Sequence, residues 1–180
     1  MGRIMGEEKN NGIKSFFFDW MIPIIAAIVL TLLINKFLIF KVSVPTGSMS
    51  PTIKPGDQIF VTKIYNPKLI KRGDIVVFYS HELNDRLIKR VIGLPGEKVE
   101  IKDDGKVYID GKLLDEPYVK FPSDKKASFV VPEGEYLMLG DNRADSQDAR
   151  YWNNPYIDGK DISAKAGLRV YPFNRFGFVN

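Results

Sequence analysis

The feature that most constrains this chain is a single apolar run close to its start. Residues 20–40 read Trp20-Met21-Ile22-Pro23-Ile24-Ile25-Ala26-Ala27-Ile28-Val29-Leu30-Thr31-Leu32-Leu33-Ile34 and, after Asn35 and Lys36, Phe37-Leu38-Ile39-Phe40. As a helix that length reaches about 31 Å, against a hydrocarbon core of roughly 30 Å. Pro23 is expected in the first turn of that helix, where it does little harm, and Trp20 suits a membrane interface. Three readings are open to the segment: a single transmembrane anchor, a cleaved secretory signal peptide, and a buried soluble helix. The anchor is preferred, because the run continues to Phe40 with no Ala-x-Ala after it and is apolar all round. Arg3, Lys9 and Lys14 precede the span, and Lys41 and Lys54 follow it, so the positive-inside bias leans towards an inside N-terminus.

After Val42 the pattern changes to short strands. Gln58-Ile59-Phe60-Val61-Thr62-Lys63-Ile64-Tyr65, Asp74-Ile75-Val76-Val77-Phe78-Tyr79 and Arg86-Leu87-Ile88-Lys89-Arg90-Val91-Ile92 are rich in β-branched and aromatic residues. Further candidates are 98–101, 106–109, 128–131, 136–139 and 168–171. Turns are marked by Lys54-Pro55-Gly56-Asp57, Lys71-Arg72-Gly73-Asp74, Leu94-Pro95-Gly96-Glu97 and Pro132-Glu133-Gly134. Residues 115–127 read as a polar loop. The expected fold is all-β, an antiparallel barrel or sandwich behind one transmembrane helix. The expected organisation is a cytoplasmic tail (1–19), the anchor (20–40) and an extracytoplasmic β-rich catalytic domain (41–180) with short accessory hairpins around 98–127.

Composition removes several chemistries. The 180 residues include no Cys and one His, which excludes a Cys nucleophile, a disulfide framework and Cys- or His-rich metal sites. A Ser-His-Asp triad would have to use His81, which sits between Ser80 and Glu82 in a turn-like stretch and reads as a surface residue. The net charge of +4 is small and scattered, so nucleic acid is not an expected partner. No cofactor or metal is expected. Acid–base chemistry near neutrality then falls to Lys, Tyr or a carboxylate.

Three clusters carry candidate chemistry. The first is Val44-Pro45-Thr46-Gly47-Ser48-Met49-Ser50-Pro51-Thr52, where hydroxyls flank a glycine between two prolines. It reads either as a fixed backbone presenting a nucleophilic serine or as a juxtamembrane linker. The second is the strand through Lys89, which stands between Leu87 and Val91 on one face. Buried there, the ammonium loses solvation and its pKa falls, as a Lys general base requires; on a half-wet strand it is an ordinary surface cation. The third is Gly140-Asp141-Asn142-Arg143-Ala144-Asp145-Ser146-Gln147-Asp148-Ala149-Arg150, either an ion-paired array or a charged surface turn.

In this order and spacing the clusters resemble the type I signal peptidases, membrane-bound serine proteases that remove signal peptides. Gly47-Ser48-Met49-x-Pro51-Thr52 resembles that family's nucleophile motif, 89–97 its general-base motif, and 140–150 its third signature; Tyr171-Pro172-Phe173-Asn174-Arg175-Phe176-Gly177 is similar to its ending. The resemblance implies Ser48 as nucleophile and Lys89 as neutral general base. It implies an oxyanion hole from the Ser48 N–H and the Thr46 hydroxyl, and Ser146 orienting Lys89. Met49 would sit beside the substrate cleft, and Asp141, Asn142, Arg143, Asp148 and Arg150 would support the loop. Thr46 stands where many members carry Ser, and Ala149 where many have Ser. The implied partners are preprotein signal peptides with small residues at positions −3 and −1, and a lipid bilayer. The implied location is the plasma membrane of a bacterium, with the catalytic domain on the extracytoplasmic face. Two other readings remain open: a membrane-tethered β-domain that binds peptides without catalysis, and a self-cleaving repressor with a Ser-Lys pair. The repressor would need a DNA-binding domain where the apolar span stands.

Overall fold

The computed structural model describes residues 5–179 and divides into two units, Met1–Ile39 and Phe40–Asn180. The first is a single helix, α1 (Met5–Phe37). Within it Phe16–Ile34 has a mean hydropathy of 2.4, and none of its side chains is buried. A helix so apolar on every side cannot be satisfied by water. Two sequence expectations shift here. The helix begins well upstream, so Pro23 lies inside it and not in its first turn. It also ends at Phe37, because Ile39 and Phe40 already belong to strand β1 (Ile39–Ser43). The side chains of Arg3, Lys9 and Lys14, on which the charge asymmetry rests, lie outside the described residues, as does the start of the expected tail.

The second unit is antiparallel β-structure. Its larger sheet joins β1, β2 (Gln58–Lys63), β3 (Ile75–Ser80), β4 (Asp85–Gly93), β9 (Glu135–Leu139), β10 (Tyr156–Asp158), β11 (Ile162–Tyr171) and β12 (Gly177–Phe178). The strand order is β1-β2-β11-β3-β4-β9-β10, with β12 on β11. The smaller sheet, ordered β7-β6-β5-β8, comprises β5 (Lys98–Ile101), β6 (Val107–Ile109), β7 (Lys112–Leu113) and β8 (Ala127–Val130). It consists of the hairpins β5–β6 and β6–β7, with β8 added on the other side of β5. They share one core with the main sheet: Val99, Ile101, Val107 and Ile109 cluster with Val76, Phe78, Leu137 and Met138. Each such side chain taken from water contributes about 2 kcal/mol.

Three turns with one chemistry punctuate the sheets. In Lys54-Pro55-Gly56-Asp57 and Lys71-Arg72-Gly73-Asp74 the aspartate accepts from the N–H three residues back, at 2.9 and 3.0 Å. Glu97 does the same to Leu94 at 2.7 Å. Gly56 and Gly73 have φ of 85° and 88°, which a side chain would strain.

The position of β4 matters most. Residues 85–90 pair with β3, whereas β9 begins to pair only at Arg90. Among the described residues, the other edge of 85–89 therefore carries no partner strand. An unpaired edge of N–H and C=O groups accepts an added extended chain.

Candidate active site

Beside that open edge lies a cleft of about 310 Å³. Pro45, Thr46, Gly47 and Ser48 line it together with Leu83, residues 85–89, Asp145 and Gln147. All three sequence clusters therefore meet at one concavity.

Ser48 is brought there by a tight loop after β1. Ser50 N donates to Gly47 O at 2.9 Å and Ile53 N to Met49 O at 2.9 Å. Met49, expected beside the substrate cleft, is instead wholly buried with Val44, Ile53 and Ile59. Its thioether anchors the loop into the core, and the neighbouring Ser48 side chain is left facing the cleft. The linker reading fails on this burial. Ser48 is 9% exposed, and its Oγ lies 3.5 Å from Thr46 Oγ1, at the long limit of a hydrogen bond.

Lys89 is 3% exposed, so the half-wet strand reading fails as well. Its Nζ donates to Ser146 Oγ at 3.1 Å. Among the described residues no hydrogen bond joins Lys89 Nζ directly to Ser48 Oγ; the two side chains share the cleft. Burial holds the Lys89 pKa down, at about 8 against an ordinary 10.5. The Asp148 carboxylate pulls it back up, Arg150 adds to the lowering, and Asp141 and Asp145 raise it. About a quarter of the side chain is then neutral near pH 7.5, against about one part in a thousand for a free Lys.

The third cluster is an ion-paired array behind these groups. Arg90, on the opposite face of β4 from Lys89, forks onto both Asp141 oxygens at 2.8 and 2.7 Å. Thr52 donates to Asp141 Oδ2 at 2.6 Å and so ties in the Ser48 loop. Arg150 forks onto Asp148 at 2.8 and 2.9 Å, and Asp148 accepts from Gly140 N at 3.0 Å. Arg143 Nε donates to Gly140 O at 2.9 Å. Asn142 binds the Ser48 loop twice, N to Ser48 O at 3.1 Å and Nδ2 to Gly47 O at 3.2 Å. Asp141, Arg143, Asp148 and Arg150 are all buried, a configuration tolerable only because every charge is paired. Ala149 is buried in the core.

Sequence reasoning missed four residues that hold this site. Asp57, 1% exposed, receives Arg175 at 2.8 and 2.9 Å, and Arg175 Nη2 donates to Pro51 O and Thr52 O at 3.0 and 3.2 Å. The C-terminal segment thus clamps the Ser48 loop. Glu116 and Tyr118 lie in the stretch read as a plain polar loop, and reach Arg143 and Arg90. The Gly-Asp turn hinted at Asp57 and the C-terminal motif contained Arg175; nothing local pointed to Glu116 or Tyr118.

His81 lies outside the cleft. Its side chain is 70% exposed, pairs with Asp161 at 3.1 Å and meets the Tyr79 ring edge-on at 5.0 Å. We expect His81→Ala to leave substrate turnover within about twofold of wild type, as for surface changes remote from a site; a steady-state assay on the purified chain checks this.

Known proteins resemble this chain over most of its length. A family model described as signal peptidase, peptidase S26, matches residues 17–171. Signal peptidase IB of Staphylococcus aureus (strain MRSA252) is 35% identical over 185 residues, covering 92% of this chain and 95% of that protein. Signal peptidase I of Bacillus licheniformis is 40% identical over 183 residues, covering 94% and 97%. The crystal structure of a signal peptidase I from Enterococcus faecalis V583 superposes with a TM-score of 0.47 at 33% identity, covering 53% of this chain and 95% of that one.

Proposed function

The chain belongs to the signal peptidase family, peptidase S26, and from that premise we propose that it is a serine endopeptidase working through Ser48 and Lys89. The observation that carries the reading is a buried lysine, held by Ser146 and depressed to about 8, in the cleft that Ser48 also lines. Neutral Lys89 takes the proton from Ser48 Oγ as the oxygen attacks the scissile carbonyl. The oxyanion is met by the Ser48 N–H and, after a short approach, the Thr46 hydroxyl. Lys89 then passes its proton to the departing amine, leaving an ester on Ser48. It next deprotonates a water molecule that attacks the ester, and returns that proton to Ser48 Oγ as the second product leaves. Ser146 holds the amine and stays out of the bond changes. Asp141, Asn142, Arg143, Asp148 and Arg150 hold the loop that carries Ser146.

The substrate lies as an extended strand against the free edge of 85–89, where main-chain hydrogen bonds set its register. Small residues at positions −1 and −3 are the proposed requirement, and preprotein signal peptides the proposed substrates. Helix α1 is proposed as the membrane anchor, with a cytoplasmic N-terminus and the β-unit on the extracytoplasmic face of a bacterial plasma membrane. Anchoring raises the effective concentration of a preprotein held in the same bilayer.

One experiment separates this from a non-catalytic peptide-binding domain. Labelling by a serine-directed acylating inhibitor, followed across pH 6–10, should rise along a limb with an apparent pKa near 8. The sign follows from the base: below that value Lys89 is an ammonium and accepts no proton. Labelling should vanish in Ser48→Ala. Labelling that persists in that variant, or a limb near the free-lysine value, overturns the dyad.

A further inference from the structure

Between β7 and β8 the chain crosses the back of the site as a strap, residues 115–121. None of its residues lines the cleft. It nevertheless engages the third cluster at several points. Both Glu116 oxygens receive the Arg143 guanidinium, at 3.1 and 2.5 Å. The Arg143 side chain is 3% exposed, and among the described residues Glu116 is its one carboxylate partner. Tyr118 donates its hydroxyl to Glu116 Oε1 at 2.9 Å, and its ring lies 3.9 Å beneath the Arg90 guanidinium. Phe121 O accepts from Ala144 N at 3.1 Å, and Phe121 bridges to Asn142. The strap therefore grips two arginines, one next to Lys89 on β4 and one three residues before Ser146.

These grips converge on the Gly140 peptide. Arg143 Nε holds its carbonyl while Asp148 holds its N–H. A Cβ built on Gly140 would stand 2.2 Å from Ser146 Oγ and 2.5 Å from Ser48 O. Gly140 is thus the floor on which the backbone of the nucleophile and the hydroxyl facing Lys89 both rest. With two of its donors spent on Glu116, the Arg143 guanidinium has one orientation left, and that orientation aims Nε at Gly140 O.

We propose that Glu116 and Tyr118 are positioning residues that, through Arg143 and the Gly140 peptide, set Ser146 against Lys89 and Ser48 without touching substrate. The proposal rests on the Ser48–Lys89 reading above. It assigns the strap a part in the chemical step beyond holding the two sheets together.

The test uses the full chain in detergent with a peptide substrate carrying Ala at −1 and −3. Steady-state constants are normalised to the folded fraction and set beside the melting temperature. Glu116→Gln should lower kcat by about tenfold or more, since sub-ångström misplacement of reacting groups is costly, with KM within about twofold. The double variant Glu116→Gln/Arg143→Met removes the unpaired buried cation, so its melting temperature should recover towards wild type. Its kcat should stay low, because Gly140 O has lost its donor. Tyr118→Phe keeps the ring over Arg90 and should lower kcat about threefold with little change in melting, a milder effect in keeping with one lost hydrogen bond. Exposed Lys120, on the same strap, supplies the control: Lys120→Gln should behave as wild type. A normal kcat per folded molecule in Glu116→Gln overturns the proposal, as does recovery of kcat in the double variant. Should Glu116→Gln not fold, Tyr118→Phe decides alone, and wild-type kcat there overturns it. Ser48→Ala in the same assay keeps the two readings apart. Turnover retained in Ser48→Ala defeats the dyad; an inactive Ser48→Ala beside a normal Glu116→Gln defeats only the strap.

Discussion

Lys89→Ala should lower turnover by at least about a thousandfold while leaving a folded protein, the range seen when a catalytic base is deleted. Among the described residues that line the cleft, no other amine can replace it. The nearest cation on β4, Arg90, does not deprotonate and is committed to Asp141. Lys89→Met makes the stronger statement because it fills the same space. In the fold the lysine pKa is lowered from 10.5 to about 8, so the buried ammonium costs about 3 kcal/mol relative to the unfolded chain. That cost is present in full below pH 8 and disappears as pH rises through 10.5. Lys89→Met should therefore be inactive yet melt no lower than wild type, with its greatest relative gain below pH 8. Measuring kcat and thermal unfolding at pH 6.5 and pH 10 checks both halves. An inactive variant that melts much lower at pH 6.5 would mean the ammonium stabilises the fold, and the base assignment would lose its physical ground.

Gly140→Ala should be the second severe change, lowering kcat by about a hundredfold or more. The added methyl meets Ser146 Oγ at 2.2 Å, Ser48 O at 2.5 Å and Ser146 Cβ at 2.6 Å. Two of these atoms are backbone oxygen and Cβ, which no rotamer change can move aside. The main chain has to part, and what parts is the proposed nucleophile, Ser48, from Ser146, the residue proposed to orient the base. Overpacking of this kind also costs about 1–3 kcal/mol of stability. The contrast with Gly56 and Gly134 is informative, because nothing lies within 4 Å of a Cβ at either. There the glycine serves its own backbone angle; at Gly140 it serves its neighbours. Loss of turnover beyond the loss of folded protein, measured by activity and melting together, checks the expectation.

Much of this site was legible in the sequence because the three clusters each contain local signals. Two prolines and a glycine around Ser48 announce a fixed backbone, and they lie on a loop whose next residue, Met49, is wholly buried. The alternation through Lys89 placed it on a separate face of β4 from Arg90. Alternation predicts sides and not burial, however. Both residues are 3% exposed, because both faces of β4 are covered at that point. Strands β1, β7, β10 and β12 and the first half of β11 were not read, since they are short or interrupted by charge: Lys165 within β11 pairs with Asp74 at 2.6 Å across the sheet. The stretch 115–126 is a loop, as its composition says, while Ala127 already opens β8, and composition says nothing of where the loop's Glu and Tyr go.

By itself the sequence determined the class of this protein: one apolar helix, a β-rich unit after it, no thiol or histidine chemistry, and a serine and a lysine in recognisable surroundings. Those properties depend on residue type and on spacing along the chain, which is what hydrophobic periodicity and turn chemistry act on. Only the tertiary structure decided that Lys89 loses its water, that Met49 leaves the cleft for the core, and that Glu116 reaches Arg143 and Asp57 reaches Arg175. Those contacts join residues 27 and 118 positions apart. Desolvation and ion pairing depend on distance in space, and a chain encodes that distance only through the fold as a whole.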